Sequence, residues 1–127
     1  MLLQRDPSEA YRRVDFDARV KGATSRQLVD LCLEQVAGSV GRAIHAGGRG
    51  DNGAKSAALT RAMAALTALQ MGVDPEAQAG QALLQLYASA RTTILDSVLA
   101  FNPAGLAQIR QDFIEIRTAM LGATPAS

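Results

Sequence analysis

Two stretches of this chain carry the same apolar ladder. Leu59, Ala62, Leu66, Leu69 and Val73 follow one another at steps of three, four, three and four, and Leu106, Ile109, Phe113, Ile116 and Met120 repeat those steps. In an α-helix this spacing sets all five side chains on one stripe. Such a stripe is stable only when buried against other helices, of its own chain or of a partner. No segment shows the strict alternation of a half-buried strand. An all-α fold follows, with its function expected in what the helices hold rather than in a reaction.

Local signals divide the chain. Residues 1–22 are weakly periodic and read as a mobile N-terminal segment, in which Ser8-Glu9 starts a short, loosely held helix through Tyr11, Val14 and Ala18. The bundle domain spans 23–122. Thr24, with Gln27 three residues on, is a capping box for a long first helix. That helix presents Leu28, Val29, Cys32, Leu33, Val36, Val40 and Ile44 and should stop near Ala46. Gly47, Gly48 and Gly50 follow, each costing about 1 kcal/mol in a helix interior. Asn52 is the expected cap of a second helix running to about Met71. Asp74 caps a third that begins at Pro75 and carries Ala79, Leu83, Leu86, Ala90, Ile94, Val98 and Phe101 on one stripe. Leu84, Tyr87 and Leu95 widen that stripe into a second flank. Asn102-Pro103 breaks it, and Pro103 opens a fourth helix to about Leu121, leaving 123–127 as a frayed tail. Four helices of unequal length on short connections predict an antiparallel four-helix bundle.

A chain of 127 residues suffices for one domain with a real core. Its formal net charge is +1, and its basic residues (among them Arg12, Arg13, Arg42, Arg61, Arg91, Arg110 and Arg117) are scattered among acidic ones. A nucleic-acid face needs clustered Lys and Arg, so nucleic acid is not an expected partner. Met1-Leu2-Leu3 meets Gln4, Arg5 and Asp6 at once, unlike a secretory leader. No apolar run approaches the ~18 residues of a membrane span. A cytoplasmic protein without membrane insertion is the expectation.

Candidate chemistry is thin. Gly48 to Ser56 nearly spells a phosphate-binding loop, but Ala54 separates Gly53 from Lys55, and a helix precedes the loop where that motif needs a strand. Arg49-Gly50-Asp51 matches an integrin-type tripeptide by chance. His45 is the sole histidine, at the end of a helix where a cation suits the dipole, and it has no partners for a metal. Cys32 lies in an apolar pattern and reads as a small core residue. Asp15 with Asp17, and Asp112 with Glu115 beside Arg110 and Arg117, read as solvated charges, the second pair on an outward helix face. No catalytic set, cofactor, metal or small-molecule substrate is expected; the chain does not read as an enzyme.

Four stretches, in order, resemble the flagellin-specific export chaperone family, FliS. Ala23-Thr24-Ser25-Arg26-Gln27-Leu28, continuing through Leu31-Cys32-Leu33-Glu34, resembles the family's A-S-P-E-E-L opening and L-Y-D-G-A-L core. Arg61-Ala62 through Leu66, Leu69 and Val73-Asp74 is similar to K-A-Q-x-I-I-x-x-L-x-x-x-L-D. Leu83-Leu84-Gln85-Leu86-Tyr87, with Ile94-Leu95-Asp96 and Asn102, is similar to L-x-x-L-Y-x-Y-M-x-x-x-L-I-E-A-N and the N-D turn after it. Ile116-Arg117-Thr118-Ala119-Met120 stands where the family often has L-R-x-x-W. Leu33 replaces a family tyrosine, Gln35 a glycine, Ser89 the second tyrosine and Met120 the tryptophan, as in a divergent member.

The resemblance implies a cytoplasmic chaperone of bacterial flagellum biogenesis and type III protein export. It would bind the C-terminal segment of flagellin, prevent premature polymerisation and support delivery to the export apparatus, with other flagellar export components as further partners. It also implies that the bound segment wraps the bundle as short helices in apolar grooves. An N-terminal segment bearing Tyr11, Val14 and Phe16 would compete for one groove. The expected partner-binding set is Tyr11 and Val14, Leu69 and Val73 of the second helix, and Leu83, Leu84, Tyr87 and Leu95 of the third. Each bundle position fits core packing equally well. The alternative is a helical adaptor or self-associating structural module for another flagellar or secretion protein.

Overall fold

Thr24 opens the first helix as the capping box requires. Its Oγ1 accepts from the Gln27 N–H at 3.2 Å, and the Gln27 side-chain oxygen accepts from the Thr24 N–H at 2.9 Å. The computed structural model describes residue 22 and residues 24–122. The expectations for the N-terminal segment with Tyr11 and Val14, and for the tail 123–127, fall outside the described residues. Four helices follow: α1 (Ser25–Gly48), α2 (Asn52–Gly72), α3 (Gly80–Leu99) and α4 (Pro103–Gly122). Among the described residues there is no strand.

Three boundaries differ from the sequence reading. α1 runs two residues past Ala46. Gly47 belongs inside it because a Cβ there would collide with the Phe101 ring, so glycine permits a close approach between α1 and the chain after α3. Asp51, not Asn52, caps α2, its Oδ1 accepting from Ala54 N–H at 3.1 Å. The third correction is the largest. α3 begins at Gly80 rather than Pro75, because Asp74 folds its own turn instead of capping a helix. Its Oδ1 accepts from Glu76 N–H at 2.9 Å and its carbonyl from Ala77 N–H at 3.1 Å. Ala79 then takes φ +67°, and Gly80 accommodates the Asp74 carbonyl where a Cβ would not fit.

Cross-helix contacts run antiparallel. Asp30 and Arg26 at the start of α1 meet Arg117 and Met120 at the end of α4, and Tyr87 of α3 meets Phe113 of α4. α1 packs most extensively against α2, then against α4; α3 closes the ring through thinner contacts to α2 and α4. The alanines of α2 explain the first interface: Ala58, Ala62 and Ala65 are buried, and small side chains let two helices approach closely.

Both ladders face the core but reach the surface at their ends. Leu59, Ala62, Leu66 and Leu69 are buried and Val73 is half-buried; Leu106, Ile109 and Phe113 are buried, with Ile116 and Met120 half-buried. Each fully buried large side chain is worth roughly 1.5–3 kcal/mol relative to exposure. The register of α3 departs from expectation. Its buried line is Tyr87, Ala90, Ile94 and Ser97, whereas Leu86 is half-buried and Val98 exposed. α3 contacts two neighbours across a narrow face, and Ser97 can lie inside because its Oγ accepts from Asn102 N–H at 2.9 Å.

Candidate functional site

The residues predicted from α2 and α3 separate into two layers. Leu69 and Tyr87 are core, Tyr87 at 1% exposure with its ring 5.8 Å from that of Phe113. Val73 and Leu83 are half-buried against that core, Leu84 is half-buried, and Leu95 is 51% exposed. Positions 84, 88, 95 and 99 recur at helical spacing, so Leu84, Ala88, Leu95 and Leu99 form one outward flank of α3. Val98 and Leu99, at 53% and 92% exposure, extend it. The flank lies toward α2, because Arg91, on its inner edge, reaches across to donate to Gln70 Oε1 at 3.2 Å and to Thr67 Oγ1. Met71, near the far end of α2, is also exposed. An apolar flank of this kind is matched by another amphipathic helix.

On the opposite side of the ring, α1 and α4 enclose a trough that the ladders alone do not reveal. Val29, Leu33, Met120 and Leu121, with Arg26 and Asp30 at the rim, line a cavity of about 310 Å³. A second cavity, about 210 Å³, lies against Ala37, Gly38, Ile114 and Leu121. Between them Arg117 donates to Asp30 through Nε at 2.6 Å and Nη2 at 3.2 Å. That hydrogen bond to Asp30, followed by the charges of Asp30 and Glu34, pushes the Arg117 guanidinium above its ordinary value against a partial loss of hydration. Arg26 Nη2 donates to the Met120 carbonyl at 3.3 Å, closing the trough at the start of α1. The trough's sequence signal was Met120, the last rung of the second ladder, together with Gly38.

Arg117 therefore does not belong with the outward Asp112 and Glu115. Those carboxylates instead accept from Gln108 and Gln111, one turn earlier on the same helix, at 2.8 and 2.9 Å. Arg61, one of the scattered basic residues of the sequence, is 7% exposed. With the Gln35 amide oxygen turned toward it, Arg61 donates to Gln35 at 2.7 and 2.8 Å, joining α1 to α2.

Burial pushes the Cys32 thiol up from its ordinary value, toward the protonated, poorly nucleophilic form. Burial, and next the neighbouring Cys32, raises the Tyr87 phenol. Among the described residues no three metal-binding side chains cluster, and no helix is long and apolar enough to cross a membrane. Gly50, at φ +73°, and Asp51 shape a helix-to-helix turn at the near phosphate loop.

What the arrangement offers is surface: an apolar flank on one side of a helical bundle and an apolar trough on the other. The family model described as flagellar protein FliS matches residues 7–126, and no individual curated protein matches. The match runs through all four helices and their connections; the chain belongs to the FliS family of flagellar export chaperones.

Proposed function

We propose that this chain is a cytoplasmic chaperone that binds the C-terminal segment of flagellin, prevents its premature polymerisation and supports its delivery to the export apparatus. The observation that carries this reading is the exposed row Leu95, Val98 and Leu99 beside half-buried Leu84, in a chain matched to the family over residues 7–126. An amphipathic client helix presents anchors at three- and four-residue steps, and the flank offers apolar side chains at the same steps. The α1–α4 trough is a second seat, so one client segment can wrap both sides and be held off from other flagellin molecules. Val73 and Leu83 are half-buried against the core that contains Leu69 and Tyr87, so these four are proposed to support the bundle beneath the client seat. Tyr11 and Val14, outside the described residues, are the proposed competitor for a client seat. Other export components are proposed as later partners of the loaded complex.

Burial contributes about 25 cal/mol per Å² of apolar area, and ordering a disordered client costs ~2–5 kcal/mol. Binding is thus driven by apolar burial and needs no catalytic group. Calorimetric titration with the C-terminal segment of the same organism's flagellin tests the reading. Saturable one-to-one binding with a negative heat-capacity change is expected. A folded protein that binds no host flagellin segment would overturn it and favour the adaptor alternative.

A further inference from the structure

α3 is fastened unequally at its two ends. At the Leu99 end, Ser97 Oγ accepts from Asn102 N–H, and Asn102 Oδ1 accepts from Gly105 N–H at 3.0 Å, joining the end of α3 to the start of α4. The adjoining Phe101 ring fits over Gly47 of α1, with the Lys55 ammonium of α2 5.2 Å from the ring centre. Three helices thus meet at the residues that leave α3. At the Gly80 end, the hydrogen bonds shaping the connection run within it: Glu76 and Ala77 to Asp74, Gly80 to Ala77, and Gln81 to the Pro75 carbonyl. Ala79 supplies no capping side chain and holds a left-handed backbone that favours glycine. Between these ends Arg91 ties α3 to Gln70 and Thr67 of α2, and Tyr87 lies against Phe113 of α4.

We infer that α3 is a hinged lid, pivoting on the Ser97–Asn102 end and opening from its Gly80 end while α1, α2 and α4 stay packed. Segments with few tertiary contacts open at lower free energy than the global transition. α3 meets two neighbours thinly, whereas α1 is packed along its length against α2 and α4. Opening lifts Tyr87 from Phe113 and uncovers the apolar interior that α3 shields. The motion belongs to the free chain and requires no client.

Native-state hydrogen exchange on the full chain, followed residue by residue in low urea, tests this directly. Amides of residues 84–90 are expected to show protection at least about tenfold below those of residues 36–43, with a shallower urea dependence. Within α3, protection is expected to rise toward Ser97. Equal protection and equal urea slopes in α1 and α3 would overturn the lid. Lowest protection at the Ser97 end, with residues 84–90 more protected, would overturn the hinge.

Discussion

α1 and α3 are both long amphipathic helices, yet they occupy opposite situations in the same ring. α1 buries nine residues, including Leu33, Val36, Val40 and Ala43 without measurable exposure. α3 buries five, two of them Gly80 and Ser97, and leaves Leu95, Val98 and Leu99 in solvent. The difference is one of neighbours. α1 lies between α2 and α4 and meets both over long interfaces; α3 closes the ring opposite it with thinner contacts. A helix whose apolar surface exceeds what its own fold covers is suited to contact something else. α1 stabilises the bundle, and α3 carries its surplus apolar area on the outside.

Matched core deletions should break or sharpen that contrast most strongly. Leu33 and Ile94 are both fully buried. Leu33→Ala should cost about 4 kcal/mol and Ile94→Ala about 2–3, because the thinly packed α3 can settle into part of its cavity. Urea unfolding of both variants gives the comparison, and equal costs would mean that α3 is packed as rigidly as α1. Arg61→Ala should cost about 2 kcal/mol by the same measurement, since it removes charge-assisted bonds and leaves Gln35 unmatched between α1 and α2. At the start of α3 the sign reverses. Ala79→Gly should stabilise by about 0.5–1 kcal/mol, as glycine relieves the left-handed conformation at some entropic cost. Leu99→Ser should alter thermal stability least, within about 0.5 kcal/mol.

Much of the fold was legible because its signals are local. Thr24 with Gln27 and Asn102-Pro103 each act over a few residues, and the two ladders set the faces of α2 and α4. Asp74-Pro75 misled for a reason that also lies close by. The same side chain that caps a helix can close an Asx turn, and the fit of Gly80 beneath the Asp74 carbonyl selects the turn only in the folded chain. The inner register of α3 and the burial of Arg61 depend on neighbouring helices that no local pattern encodes. The same holds for the proposed client surface. Apolar spacing placed Tyr87 and Leu95 in one set, but the Phe113 ring covers Tyr87 while the flank carrying Leu95 faces solvent. The trough was hidden because its walls, Val29 and Leu33 against Met120 and Leu121, come from the two ends of the described chain.

The most direct measurement is residue-resolved NMR of the chain titrated with its host's flagellin C-terminal segment, repeated with Leu95→Asp. Shifts are expected along Leu84, Ala88, Leu95 and Leu99 and in the trough at Val29, Ile114 and Leu121. The substitution should weaken binding about tenfold, or ~1.4 kcal/mol, without unfolding the bundle. Saturable binding that leaves the α3 flank unshifted and is indifferent to Leu95→Asp would contradict the assignment of the client surface.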